Sequence, residues 1–134
     1  MERVTHLTFS LLLFLLFGPF FQLALPLALF ALFGSLLPDL DIKLGRLHRK
    51  LFHNLWFGFG FSWLLFALNP GFCFSFLIGF LSHLLADSLT PTGIWFFWPL
   101  GPRISGKIVT GSRGEAVLNL VFILLIALLL VRRF

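Results

Sequence analysis

The sequence predicts an all-α fold: a polytopic helical membrane bundle of four full transmembrane helices plus a short first span, with residues 1–134 forming a single integral membrane domain. Three observations carry this reading. Hydrophobic residues make up 59% of the chain and charged residues only 11%, against about 25% charged in a typical soluble domain. The apolar residues come in long Leu- and Phe-rich runs, not in the alternation of a half-buried strand. The positive side chains lie between or outside those runs, so the formal charge of +5 reads first as a topology signal. A soluble globular enzyme, a disordered chain and a basic nucleic-acid-binding domain are excluded. The sole cysteine, Cys73, sits inside an apolar run, which leaves no disulfide framework and no cysteine zinc site.

Five apolar segments are marked off by their breakers. The first runs from His6 to Phe17 and stops at Gly18-Pro19; the second runs from Phe20 to Leu37 and stops at Pro38-Asp39. The third begins near Leu51 and ends at Asn69-Pro70-Gly71. The fourth covers Phe72 to Leu89 and ends at Thr90-Pro91-Thr92-Gly93; the fifth runs from Ala116 to Val131, followed by Arg132-Arg133. A membrane-crossing helix needs about 20 residues, with a lower limit of roughly 17. Segments two to five meet or approach that length, and the first is short enough for a half-span. Arg3 and the apolar stretch after it resemble a signal peptide, but no small-x-small cleavage site follows directly.

Up-and-down alternation puts Arg3, Lys43, Arg46, Arg49, Lys50, Arg103, Lys107 and Arg113 on the side of the N-terminus. Only Arg132 and Arg133 fall on the other side, so the first side is expected to be cytoplasmic. The aromatic run Trp95-Phe96-Phe97-Trp98 then lies at that interface, where amphipathic rings belong.

The same alternation gathers the titratable residues. His6 opens segment one, Asp39 and Asp41 close segment two, His48 and His53 precede and open segment three, His83 and Asp87 close segment four, and Glu115 opens segment five. Every histidine and every acid except Glu2 is thus expected at one membrane level on one side. Loops must carry the polar residues of a membrane protein, which explains the sidedness cheaply. It does not explain His83 and Asp87, which lie in the last turns of an apolar helix, where ionisable groups are costly and functional by default. Spaced by four, they share a helix face. Gly79, Ser75 and Gly71 continue that face as a small, polar stripe suited to packing on another helix. Asn54, Gly58 and Ser62 give segment three a similar stripe, and Glu115 with Asn119 repeats the spacing on segment five.

Histidine and carboxylate drawn from several helices are the donor set of a metal site in a helical bundle. Without thiolate they suit zinc first, then manganese or iron. Eight candidate groups exceed the three protein ligands of a catalytic zinc, so one or two ions are expected. Two ions would clamp both oxygens of a phosphoryl displacement and lower the pKa of bound water to about 7. Singly, most positions have blander readings. Asp39 and Asp41 follow a proline where aspartate makes turns or caps. His48 and His53, five apart, share no helix face. His6 suits an interface, and Glu115 suits the positive end of a helix. Arg49 and Lys50 serve as topology charges or as ligands for lipid phosphate. The stretch Gly101-Pro102-Arg103-Ile104-Ser105-Gly106-Lys107 resembles a phosphate loop, but Ile108 replaces the metal-holding hydroxyl and no buried strand precedes it.

Taken in order, Gly34-Ser35-Leu36-Leu37-Pro38-Asp39-Leu40-Asp41, His48-Arg49 with His53, and His83-Leu84-Leu85-Ala86-Asp87-Ser88-Leu89-Thr90-Pro91-Thr92-Gly93 resemble the YdjM-like family. Its members are described as membrane-bound metal-dependent hydrolases, some linked to LexA regulation. The likeness continues through Trp98-Pro99, Thr110-Gly111-Ser112 and Glu115, and His6 matches an early family histidine. Lys50, Phe52 and Asn54 depart from the family's usual glycine, threonine and serine after the His-Arg pair. The His-x-x-x-Asp spacing is also similar to the zinc-dependent phospholipase C and P1 nuclease group, an analogy of one short motif.

The resemblance implies a metal-dependent hydrolase in the inner (cytoplasmic) membrane. The expected substrate is a phosphoester, such as a phospholipid or lipid-linked phosphate, because a site at headgroup depth reaches a lipid without extracting it. His6, Asp39, Asp41, His48, His53, His83 and Asp87 are the expected metal ligands. Arg49 or Lys50 is expected to hold the phosphate, with Glu115 as ligand or general base. The bilayer is the expected partner, and nucleic acid is not. The rival class is non-enzymatic: a metal-stabilised scaffold, or a transporter with a His/Asp relay.

Overall fold

The computed structural model describes residues 1–40, 50 and 52–133. Five α-helices follow one another: α1 (Arg3–Phe17), α2 (Ala28–Leu36), α3 (Leu55–Leu68), α4 (Pro70–Ser88) and α5 (Arg113–Arg133). The described residues form an all-helical bundle, with one isolated bridge between Ile94 and Ile104 instead of a strand.

The span lengths differ from those counted along the sequence. Among the described residues, three helices are long and apolar enough to cross a membrane: Arg3–Phe21, Pro70–Ser88 and Arg113–Arg132. The expectation of four full spans and a short first one is corrected in two ways. The first segment is a long one, because α1 starts before its apolar run and continues past Gly18-Pro19 as a 3-10 turn, Gly18–Phe21. Proline occupies one of the first two positions of that turn. The short helices are Leu25–Leu40 and Leu55–Leu68. The apolar run after Gly18-Pro19 is continuous in composition, but the chain reverses inside it, at Gln22 (φ 53°). Fourteen residues of α3 span about 21 Å, short of the roughly 30 Å hydrocarbon core.

Local signals set the other helix ends. The Asn54 side chain accepts from the Phe57 N–H at 2.9 Å and starts α3. Asn69 ends α3 and caps α4 by accepting from the Gly71 N–H at 2.7 Å, with Pro70 at the first helical position. A single residue therefore joins the two helices.

α4 is the hub, packing against α1, α2 and α3, whereas α5 packs on α1 alone among the described elements. The small-residue stripe makes the hub possible. Ser75, Gly79, His83 and Asp87 are buried, and a Cβ added at Gly79 would collide with the Ala31 carbonyl of α2. One at Gly34 would strike the Phe76 carbonyl, and one at Gly58 the Phe80 ring. Because α2 meets α4 backbone to backbone, Gly79→Ala is expected to cost about 1–3 kcal/mol by overpacking, read as a lowered thermal midpoint in detergent. The same change at Gly60, which has open space around it, is the matched control and should not lower it.

The segment between α4 and α5 folds back over the end of the bundle. Ile94 and Ile104 exchange backbone hydrogen bonds at 2.9 Å, Gly106 N–H reaches the Thr90 carbonyl at 3.0 Å, and Leu55 N–H reaches the Phe96 carbonyl at 2.8 Å. Ile94 is fully buried on Phe80 and Leu84. This cover closes the end of the bundle that holds His6, His53, His83 and Asp87.

Candidate metal centre

The centre starts from α4. His83 and Asp87 stand one turn apart on its buried face, and the close α2–α4 contact brings the Ser35 carbonyl 2.6 Å from His83 Nδ1. A carbonyl only accepts, so Nδ1 carries the proton and Nε2 presents its lone pair. That tautomer, fixed by a backbone carbonyl behind the ring, is the usual arrangement of a metal-ligating histidine.

His83 Nε2 lies 3.1 Å from Nε2 of His53, the fully buried residue just before the α3 cap. Asp39, beyond the end of α2, places Oδ1 3.8 Å from both Nε2 atoms. Asp87 places Oδ2 3.7 Å from both. Ligand atoms bound tetrahedrally at about 2.0–2.2 Å are separated from one another by about 3.3–3.6 Å. The two Nε2 atoms with Asp39 Oδ1, and the same two with Asp87 Oδ2, thus nearly have the spacing of three ligands in a coordination shell.

A second set adjoins the first. His6 on α1 stacks on the His83 ring with centroids 4.0 Å apart, and its Nε2 lies 3.3 Å from Asp87 Oδ1. Met1 N lies 2.8 Å from the same oxygen. His6 Nδ1 is buried with no hydrogen-bond partner among the described residues. Two triads of donors, His6–His83–Asp87 and Asp39–His53–His83, each have their donor atoms within 4.8 Å. These groups are positioned to hold a metal ion. The donor chemistry fits one: imidazole and carboxylate, with the His83 Nε2 lone pair turned toward the other donors.

Five of the expected site residues therefore meet: His6, Asp39, His53, His83 and Asp87. Asp41, His48 and Arg49 lie outside the described residues. Glu115 is buried but belongs to neither triad. Its Oε1 accepts from the Glu2 N–H and its Oε2 from the Gly111 N–H, both at 2.7 Å. It borders a separate polar cavity of about 190 Å3 with Thr5, Ser112 and Asn119. Asn119 meets α1 through Thr8, whose hydroxyl donates to Oδ1 at 2.5 Å. Lys50 sits over the Trp95 ring, 5.6 Å from its centroid, and Arg103 stands 5.7 Å from the same centroid. Such cation–π contacts add a modest share of stability at exposed sites. The Ser35 carbonyl was invisible in the sequence, because a backbone acceptor leaves no side-chain signature.

The sequence model of the family described as YdjM inner membrane protein matches residues 1–134, the whole chain. Comparison with curated proteins and with solved structures gave no match.

Proposed function

The chain belongs to the YdjM inner membrane protein family, and from that premise we propose that it is a membrane-embedded metal-dependent hydrolase acting on a phosphoester, with its centre on the cytoplasmic side. Zinc is the first choice of ion, ahead of manganese and iron, because the described donors are imidazole and carboxylate without thiolate. The observation that carries the reading is the pair of donor triads that share His83, His6–His83–Asp87 and Asp39–His53–His83, each with its donor atoms within 4.8 Å.

A divalent ion held there supplies a Lewis acid for a phosphoryl oxygen and lowers the pKa of water to about 7. The chain supplies the rest. Ser35 fixes the His83 tautomer, His83 belongs to both triads, Asp87 and His6 complete one of them, and Asp39 and His53 complete the other. Burial of His6, His53, His83 and Asp87 keeps bulk water from screening these charges. Trp95 and its two cations suit the headgroup layer. A relay across the membrane needs polar groups at both ends of the bundle, whereas this cluster lies at one.

The burial of the donors favours one second reading, a structural ion, since four protein ligands close a tetrahedral site. Asp39 separates the two, because at 17% exposure its side chain is the most open of the four donors. In a catalytic centre, Asp39→Asn is expected to keep bound metal and lose turnover by about 100-fold or more; in a structural one, metal and thermal stability fall together. The primary test is metal per chain in mild detergent, followed by turnover of phosphomonoesters, phosphodiesters and phospholipids with and without chelator. One or two equivalents and chelator-sensitive hydrolysis are expected. No stoichiometric metal after addition of zinc or manganese would overturn the reading.

A further inference from the structure

The open side of the centre has its own chemistry. A cavity of about 180 Å3 is lined by Arg3, Leu36, Asp39 and Leu40. Asp39 is at once a wall of this cavity and a donor of the Asp39–His53–His83 triad, so the cavity borders the centre. Arg3 stands in the first turn of α1, three residues before His6, which puts it on neighbouring surface one turn further out. Its guanidinium forms no ion pair with a described residue, unlike the amine and guanidinium committed to Trp95. Pockets that enclose a whole ligand usually measure about 300–1,000 Å3, so this one takes a headgroup.

The wall beside it is apolar. Leu29, Phe33, Leu36 and Leu40 recur along one side of the Leu25–Leu40 segment, and Leu29 and Leu40 are each 69% exposed. A second, shallow apolar cavity of about 330 Å3 lies against Leu29, Phe30 and Phe33. Apolar side chains thus line the flank of the Leu25–Leu40 segment up to the cavity that Arg3 lines.

Resting on the hydrolase reading above, we propose that Arg3 holds the phosphoryl group of the substrate in this cavity, beside Asp39, and that the substrate is a phosphate carried on an apolar chain seated along the Leu29–Leu40 side. A guanidinium matches phosphate oxygens by a forked pair of N–H donors. Because the cavity wall includes Asp39, a donor of the centre, it is the metal-loaded centre that Arg3 serves.

The test is binding, with turnover left aside. Metal-loaded full-length protein in lipid nanodiscs is titrated with inorganic phosphate, and separately with dioleoyl phosphatidic acid, for wild type, Arg3→Gln, Arg3→Lys and Leu40→Ser. Metal per chain is measured on every sample. Arg3→Gln is expected to keep wild-type metal and to bind both ligands about tenfold or more weakly, the loss of one charge-assisted contact. Arg3→Lys should recover part of that affinity. Wild type should prefer phosphatidic acid over inorganic phosphate, and Leu40→Ser should weaken the lipid alone. Unchanged phosphate affinity in Arg3→Gln at full metal content would overturn the role of Arg3 and leave the hydrolase reading standing. Equal affinity for the two ligands would overturn the apolar seat. Failure of wild type to take up metal would bring down the hydrolase reading itself, and this proposal with it.

Discussion

His83→Ala is expected to leave the protein without bound metal, a larger loss than any other single substitution in the cluster. His83 is the one residue whose side chain belongs to both donor triads through a single atom, Nε2. Its Nδ1 is held by the Ser35 carbonyl and is not available as a substitute. Removing an outer-shell partner of a metal ligand costs about 10–100-fold in affinity, so deleting a ligand common to both triads should exceed 100-fold. His6→Ala, by contrast, empties only one triad and is expected to spare at least one equivalent. His53→Ala tests the centre from outside the helices and, as a ligand of one triad only, should likewise lose less metal than His83→Ala. Because Phe76, Phe80 and Leu84 remain packed around the site, helical circular dichroism should be nearly unchanged in all three variants. Metal per chain by elemental analysis, read beside that spectrum, separates a lost ligand from a lost fold. Retention of a full equivalent by His83→Ala would remove the Nε2 lone pair from the centre.

What could be read from the sequence was what periodicity encodes. The spacing of His83 and Asp87, continued through Gly79 and Ser75, puts the polar groups on the face that packs against α2, and they are buried there. The burial of Asn54, Gly58 and Ser62 follows from the same spacing on α3. The run lengths misled for a physical reason. Hydropathy reports composition, and it stays high through Gln22–Leu27, where the chain turns and re-enters by a 3-10 segment. Proline at Pro19 suggested a break, although the helical path continues for a further turn. Carboxylates raised a different difficulty. A glutamate at a helix start carries the same residue signature whether it faces an ion or a pair of backbone N–H groups, and only the return of α1 beside α5 distinguishes the two. Arg3 resembled every other positive charge outside a span until the fold set it beside Asp39.

Glu115→Ala is expected to destabilise the protein by about 2–4 kcal/mol and to weaken metal binding without abolishing it. Both carboxylate oxygens accept short hydrogen bonds from backbone N–H groups, one in the turn before α5 and one at the start of α1. Hydrogen bonds to a charged acceptor contribute about 1.5–3 kcal/mol each, and a donor left unpaired adds its own desolvation cost. The adjacent 190 Å3 polar cavity admits water to the vacated donors, which keeps the total near the lower part of that sum. The consequence for the centre runs through α1. Glu2 is held by Glu115, and His6 lies four residues on, its own N–H bonded to the Glu2 carbonyl at 3.2 Å. Loosening that turn shifts the His6 ring against Asp87, so metal affinity should fall by about 10–100-fold, the range for a partner that orients a ligand. Glu115→Gln sharpens the distinction. It preserves one acceptor and turns an NH2 toward the other N–H, so about half the stability loss is expected, with metal per chain unchanged at saturating ion. Thermal unfolding in detergent and competition against a chelator measure the two effects separately. Complete loss of metal in Glu115→Gln, with the thermal midpoint preserved, would make Glu115 a ligand and not a clamp.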